Sequence, residues 1–146
     1  MKKILFVFIF ISLFIFESFA PESISKPFIE TKPKETISTQ YDDIFFAVTM
    51  VESRGNPNAY NSKENAVGLA QIRQIRIDDY NARTGDSLSL NDAYDPFIAK
   101  KIFVYYADLI GKENRDLIIR KWNGSGPMTY EYLKKVKHYL TVNKPI

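Results

Sequence analysis

From Tyr41 onward, apolar residues recur at three- and four-residue spacing, broken by polar stretches that carry glycine or proline. The pattern predicts a mainly α domain of about five helices joined by polar loops. A first helix is expected over Asp42 to Ser53, capped by Thr39 or Asp42 and stopped by Gly55 and Pro57. Asn56 to Val67 reads as a loop, because Asn and Ser side chains there compete with regular backbone pairing. Gly68 or Leu69 is expected to open a second helix through Asp79, with Leu69, Ile72 and Ile75 at three-residue spacing. A second loop follows over Asn81 to Asn91, marked by Thr84-Gly85-Asp86.

Asp95-Pro96 predicts a third start, a cap residue followed by proline at the first helical position. The expected stripe there is Ile98, Ile102, Tyr105, Tyr106 and Leu109, with Gly111 as the stop. A shorter helix from Arg115 to Lys121 leads into the turn Trp122-Asn123-Gly124-Ser125-Gly126-Pro127. The last helix spans Thr129 to Leu140, with Tyr132, Val136, Tyr139 and Leu140 facing inward.

The N-terminal pattern is different. Lys2 and Lys3 precede an apolar run from Ile4 to Phe16, followed by Ser18-Phe19-Ala20, so residues 1–20 read as a signal peptide for export. The run is short of the ~20 residues that a membrane span needs. Membrane contact is expected only if this segment is retained as an anchor. Residues 21–40 are rich in Pro, Ser, Thr, Lys and Glu and read as a linker, leaving 41–146 as the folded domain. The 146-residue chain has no cysteine, so an exported domain of this kind must be stabilised by packing alone. A net charge of +3 favours an anionic partner but lacks the concentrated basic stripe of a nucleic-acid binder.

Glu52 is the candidate acid. At ~100° per residue, with Ile44 at zero, Val48 falls near ~40°, Glu52 near ~80° and Phe45 near ~100°. Glu52 thus sits on the apolar side of the first helix, where a carboxyl group tends to keep its proton. A raised carboxyl pKa is what general-acid chemistry on an acetal oxygen requires. The competing reading is a helix-end Glu that bends out to solvent. Two further segments place polar groups among apolar or glycine neighbours: Gly68-Leu69-Ala70-Gln71, whose glycine could bring backbone close to a ligand, and Trp122-Asn123-Gly124. An acid, amides and an aromatic together suit a carbohydrate site.

In this order, Glu52-Ser53, Gly68-Leu69-Ala70-Gln71, Trp122-Asn123 and Tyr132 resemble the motifs of the soluble, lysozyme-like SLT family of lytic transglycosylases. The resemblance runs from about Tyr41 to Leu140. It implies a lysozyme-like helical domain of the goose-type lysozyme/SLT kind. It also implies Glu52 as the single catalytic acid/base and Ser53 as its neighbouring serine. Gly68, Leu69 and Gln71 then belong to the Gly-Leu-Met-Gln motif of the glycan groove. Asn123 matches the family's turn asparagine, Trp122 replaces the preceding tyrosine, and Tyr132 matches a late tyrosine close to the acid. Ala70 stands in place of methionine, which would open one wall of the groove, and the turn after Asn123 lacks the usual flanking alanines.

The implied reaction is cleavage of the MurNAc–GlcNAc bond of peptidoglycan with formation of 1,6-anhydro-MurNAc ends, in the periplasm or cell envelope. No cofactor and no metal is expected, since metal-ligand spacings are absent and His138 has no partner pattern. The other acids considered (Asp78, Asp79, Asp86, Asp92 and Asp95) read as loop residues or helix caps. Two alternatives stand beside this reading. One is a lysozyme-type hydrolase in which an Asp holds water; the other is a catalytically degenerate wall-binding module. The expected partners are peptidoglycan glycan strands, and an envelope-spanning secretion or conjugation complex that would localise so small a domain.

Overall fold

Asp95 shows how local chemistry sets an element here. Its carboxylate accepts the backbone N–H of Phe97 at 2.8 Å, and Pro96 follows with no N–H to orphan, so helix α3 starts at Pro96 and runs to Ile110. The computed structural model describes residues 39–142. In chain order these form helix α1 (Asp42–Ser53), strands β1 (Tyr60–Asn61), β2 (Ala66–Val67) and β3 (Ile72–Arg73), and helix α2 (Gln74–Thr84). A 3-10 turn (Leu90–Tyr94), α3, α4 (Arg115–Asn123) and α5 (Met128–Val142) complete the order. The architecture is mainly helical, as the periodicity predicts. The expected export segment at 1–20 and nearly all of the 21–40 linker lie outside the described residues. Among the described residues no helix is long and apolar enough to cross a membrane.

Helix α1 begins where expected: Asp42 Oδ1 accepts both the backbone N–H of Thr39 (2.8 Å) and its hydroxyl (3.0 Å). It ends through two left-handed residues, Arg54 (φ 58°) and Gly55 (φ 76°). Its buried face of Ile44, Phe45, Ala47 and Val48 packs on α4 and α5. The centre of the core is aromatic, with Phe103 tilted against Phe45 at 5.3 Å and against Trp122 at 5.0 Å.

Three expectations need correction. The second helix does not start at Gly68 or Leu69. Gly68 (φ 74°) and Gln71 (φ 49°) both adopt left-handed backbone, which no α-helix accommodates. Ile72-Arg73 is instead a strand, and α2 begins at Gln74. Ile72 is fully buried, Ile75 is 73% exposed, and the helix turns Ile77 and Tyr80 to the core. The three-residue spacing straddled a strand and a helix, two elements with different periods.

Second, Asn56–Val67 is not all loop. It contributes β1 and β2 to a small antiparallel sheet of order β1-β2-β3, pairing Tyr60 with Val67 and Val67 with Ile72. The expected loop from Asn81 likewise starts later, after Thr84. Asn81 then holds the returning chain, with Nδ2 donating to the Leu88 carbonyl (2.8 Å) and Oδ1 accepting the Leu88 N–H (3.0 Å). Third, the core stripe of α3 runs through Ala99, Ile102, Phe103 and Ala107, while Leu109 is 59% exposed. The small alanines let neighbouring backbone close in, and that choice is invisible to a count of large apolar residues.

Candidate active site

Glu52 occupies the last turn of α1, between the directions of Phe45 and Val48, and its side chain is half-buried. From α5, the Tyr132 hydroxyl donates to Glu52 Oε1 at 2.7 Å. Burial raises the pKa of the Glu52 carboxyl above the ordinary glutamate value. The Tyr132 hydrogen bond opposes that rise because it stabilises the carboxylate, the charge of Glu64 adds to it, and Arg76 and Arg73 oppose it. The net direction is upward, so the group retains its proton to higher pH than a free glutamate. Tyr132 itself is 7% exposed, and burial followed by the adjacent Glu52 charge pushes its own pKa far up. It therefore remains a hydrogen-bond donor throughout the working pH range.

Glu52, Gln71, Trp122 and Asn123 line one polar cleft of about 180 Å³. The motif residues beside them build its frame. Ser53 Oγ lies 2.9 Å from the Leu69 carbonyl and 3.2 Å from the Thr49 carbonyl, tying the end of α1 to the Gly68–Gln71 segment. Gln71 Nε2 donates back to the Gly68 carbonyl at 3.1 Å, which sets its amide group at the cleft. Gly68 allows a close backbone approach, but the neighbour is protein and not ligand. A Cβ there would lie 2.3 Å from the Ala93 carbonyl oxygen of the 3-10 turn.

Trp122 lines the cleft, and its ring is engaged by protein groups. Trp122 is 7% exposed, its indole N–H donates to the Ala70 carbonyl at 3.2 Å, and the Arg76 guanidinium covers its ring at 4.1 Å. A face of the indole is thereby taken by the guanidinium. Ala70 is 1% exposed and does not line the cleft.

Four cleft residues carry no sequence signal of the kind used above: Asn61 and Glu64 from the β1–β2 hairpin, Arg73 from β3, and Arg76 from α2. Arg73 and Arg76 follow Gln71 closely in the sequence, and that proximity to the motif is the local signal they carry. Glu64 is the further acid on the cleft, and it pairs loosely with Arg73 at 3.8 Å. The acids weighed from the sequence are engaged elsewhere. Asp79 binds Arg83 and Tyr106, Asp86 binds Lys101, Asp92 caps Ser89, Asp95 caps α3, and Asp78 accepts from Gln74.

A larger apolar groove of about 350 Å³ adjoins the cleft and shares Arg76 and Trp122 with it. No acidic residue lines that groove, whereas Glu52 and Glu64 line the smaller polar cleft. Replacing Tyr132 by Phe removes a donor to the Glu52 carboxylate, which raises the carboxyl pKa further. A rate that needs protonated Glu52 falls as pH rises through that pKa, so the alkaline limb of the pH–rate profile should move to higher pH in Tyr132→Phe. The rate at the optimum should drop roughly tenfold to hundredfold for loss of orientation. An unmoved limb would mean that the hydroxyl does not act on the acid.

Among protein families, the model of the transglycosylase SLT domain matches residues 28–116. No curated protein and no solved structure matches the chain. The matched span includes Glu52, Ser53, Gly68, Leu69 and Gln71 and stops before Trp122, Asn123 and Tyr132, which reach the acid only through the packing of α4 and α5. Since that span is more than half of the 146 residues, the chain belongs to the transglycosylase SLT domain family, a lysozyme-like family that acts on peptidoglycan.

Proposed function

We propose that this protein is a peptidoglycan lytic transglycosylase that uses Glu52 as its single acid/base. The observation that carries the reading is one half-buried carboxyl group with a raised pKa, held by Tyr132 and facing a cleft lined by Gln71 and Asn123. Glu52, protonated at first, gives its proton to the glycosidic oxygen leaving MurNAc. The substrate's own 2-acetamido group stabilises the positive anomeric carbon. As a carboxylate, Glu52 then takes the proton of the C6 hydroxyl, whose oxygen closes on C1 and yields the 1,6-anhydro end. No water is consumed, and the Glu52 carboxyl is protonated again. The internal hydroxyl competes well against solvent because it is already held next to C1. The amides of Gln71 and Asn123 match the hydroxyl and acetamido groups of the glycan. Residues 1–20 are proposed to direct export to the periplasm or envelope, where the substrate is.

A second reading follows from Glu64. A second carboxylate on the cleft could hold a water and make the protein a lysozyme-type hydrolase. Glu64 sits on the β1–β2 hairpin with its side chain 60% exposed and Arg73 at 3.8 Å, so it lacks the burial and the short hydrogen bond that hold Glu52 in place. Mass spectrometry of purified cell wall after digestion decides between them. Transglycosylation leaves ends lighter than reducing ends by one water. Reducing ends alone would transfer the reaction to Glu64 and water, and no soluble product at all would leave a wall-binding module.

A further inference from the structure

Arg76 belongs to the first turns of α2 and lines both the polar cleft and the apolar groove beside it. Its guanidinium carbon lies 4.1 Å from the centroid of the Trp122 ring and 4.9 Å from that of Tyr106. One Nη donates to the Trp122 carbonyl at 2.9 Å. Tyr106 is in turn fixed by donation of its hydroxyl to Asp79 at 2.7 Å. A guanidinium suits such a place because it is planar, weakly hydrated and permanently charged, so it can stack on rings and still donate in its plane. The carbonyl it holds precedes Asn123, the last residue of α4 and a cleft residue. This side chain thus ties the end of α4 that carries Asn123 to α2, while the Trp122 indole N–H ties it to the Ala70 carbonyl beside Gln71.

We infer that Arg76 is a positioning residue of the site: it fixes the Trp122–Asn123 end of α4 against α2 and keeps a permanent positive charge facing the cleft of Glu52. The inference rests on the proposed acid/base role of Glu52 and extends it to a residue outside the motifs. It also accounts for the tryptophan at position 122, whose broad indole face serves the guanidinium. Glu52 meets charged or titratable groups from every side: Tyr132 on α5, Glu64 on the hairpin, Arg73 on β3 and Arg76 on α2. Of these, Arg76 and Arg73 favour the carboxylate and Glu64 disfavours it. Removing Arg76 leaves burial and Glu64 less opposed.

The test uses the full chain as wild type, Arg76→Gln and Arg76→Lys. It reads the Glu52 carboxyl titration by carbon NMR and the pH–rate profile on purified cell wall. Arg76→Gln should move the Glu52 midpoint and the alkaline limb upward together and lower kcat on the order of tenfold, with KM changed less. Arg76→Lys should restore the midpoint but not all of kcat, because an ammonium group has no planar face to stack. A midpoint and limb unmoved in Arg76→Gln would overturn the electrostatic part, and an unchanged kcat would overturn the positioning part. If Arg76→Gln does not fold, Arg76→Lys decides: reduced kcat at an unmoved midpoint supports the inference, and wild-type kcat overturns it. A wild-type protein without turnover would remove the proposed function, whereas the NMR midpoint would still report whether the Arg76 charge acts on Glu52.

Discussion

Glu52→Gln should fold like the wild type and lose at least about a thousandfold in cell-wall cleavage. The replacement keeps size and shape, and the Tyr132 hydroxyl that now donates to Glu52 Oε1 at 2.7 Å can donate to the amide oxygen instead. It also replaces a half-buried ionisable group by a neutral one, which removes the burial penalty behind the raised pKa. Stability should therefore be unchanged or slightly higher, and a thermal melt would show it. Activity cannot survive in the same way. In the proposed mechanism one carboxyl group both protonates the leaving oxygen and accepts the C6 hydroxyl proton, and an amide does neither. Release of soluble muropeptides at more than a tenth of the wild-type rate would remove Glu52 from the chemistry.

Gly68→Ala should be the most damaging substitution outside the acid, through stability first. The φ of Gly68 is +74°, a backbone state that strains any residue with a Cβ. That Cβ would stand 2.3 Å from the Ala93 carbonyl oxygen, and the obstacle is backbone, which cannot swing aside. Strain and displacement of the 3-10 turn together should cost about 2–4 kcal/mol, seen as a lower denaturant midpoint at constant slope. Activity should fall as well, because the Gly68 carbonyl accepts from both the backbone N–H (3.3 Å) and the side chain (3.1 Å) of Gln71. A loss below about 0.5 kcal/mol would show that the turn relaxes easily.

These two sites differ in how readable they are. Glu52 is legible because a helix of known phase projects residue 52 between 45 and 48, and the helix phase is set by local apolar spacing. The role of Gly68 is not legible: glycine announces freedom, and only the neighbouring Ala93 backbone shows what that freedom is for. The stretch from Leu69 to Ile75 misleads for a related reason. Its spacing fits a helix, yet pairing of Ile72 with Val67 and the left-handed Gln71 make it a turn and a strand. Tertiary pairing overrode local preference there.

Trp122 shows the same limit from the other side. As an aromatic beside Asn-Gly it suggests a stacking surface for sugar, and the fold uses that surface for Arg76. Nothing local connects position 76 with position 122, because the contact depends on how α2 crosses the end of α4. Asn61 and Glu64 reach the cleft through a hairpin where the sequence suggests a loop, and Arg73 through a strand where it suggests a helix.

By itself the amino-acid sequence determined the helical class, the starts of α1 and α3, and the motif order that marks the family. Caps, breakers and helical phase are interactions between residues a few positions apart, so they are written locally. The tertiary structure decided which groups meet: Tyr132 at Glu52, Arg76 on Trp122, and Gly68 against Ala93. Those contacts join distant parts of the chain, and close packing, a property of the assembled core, selects them.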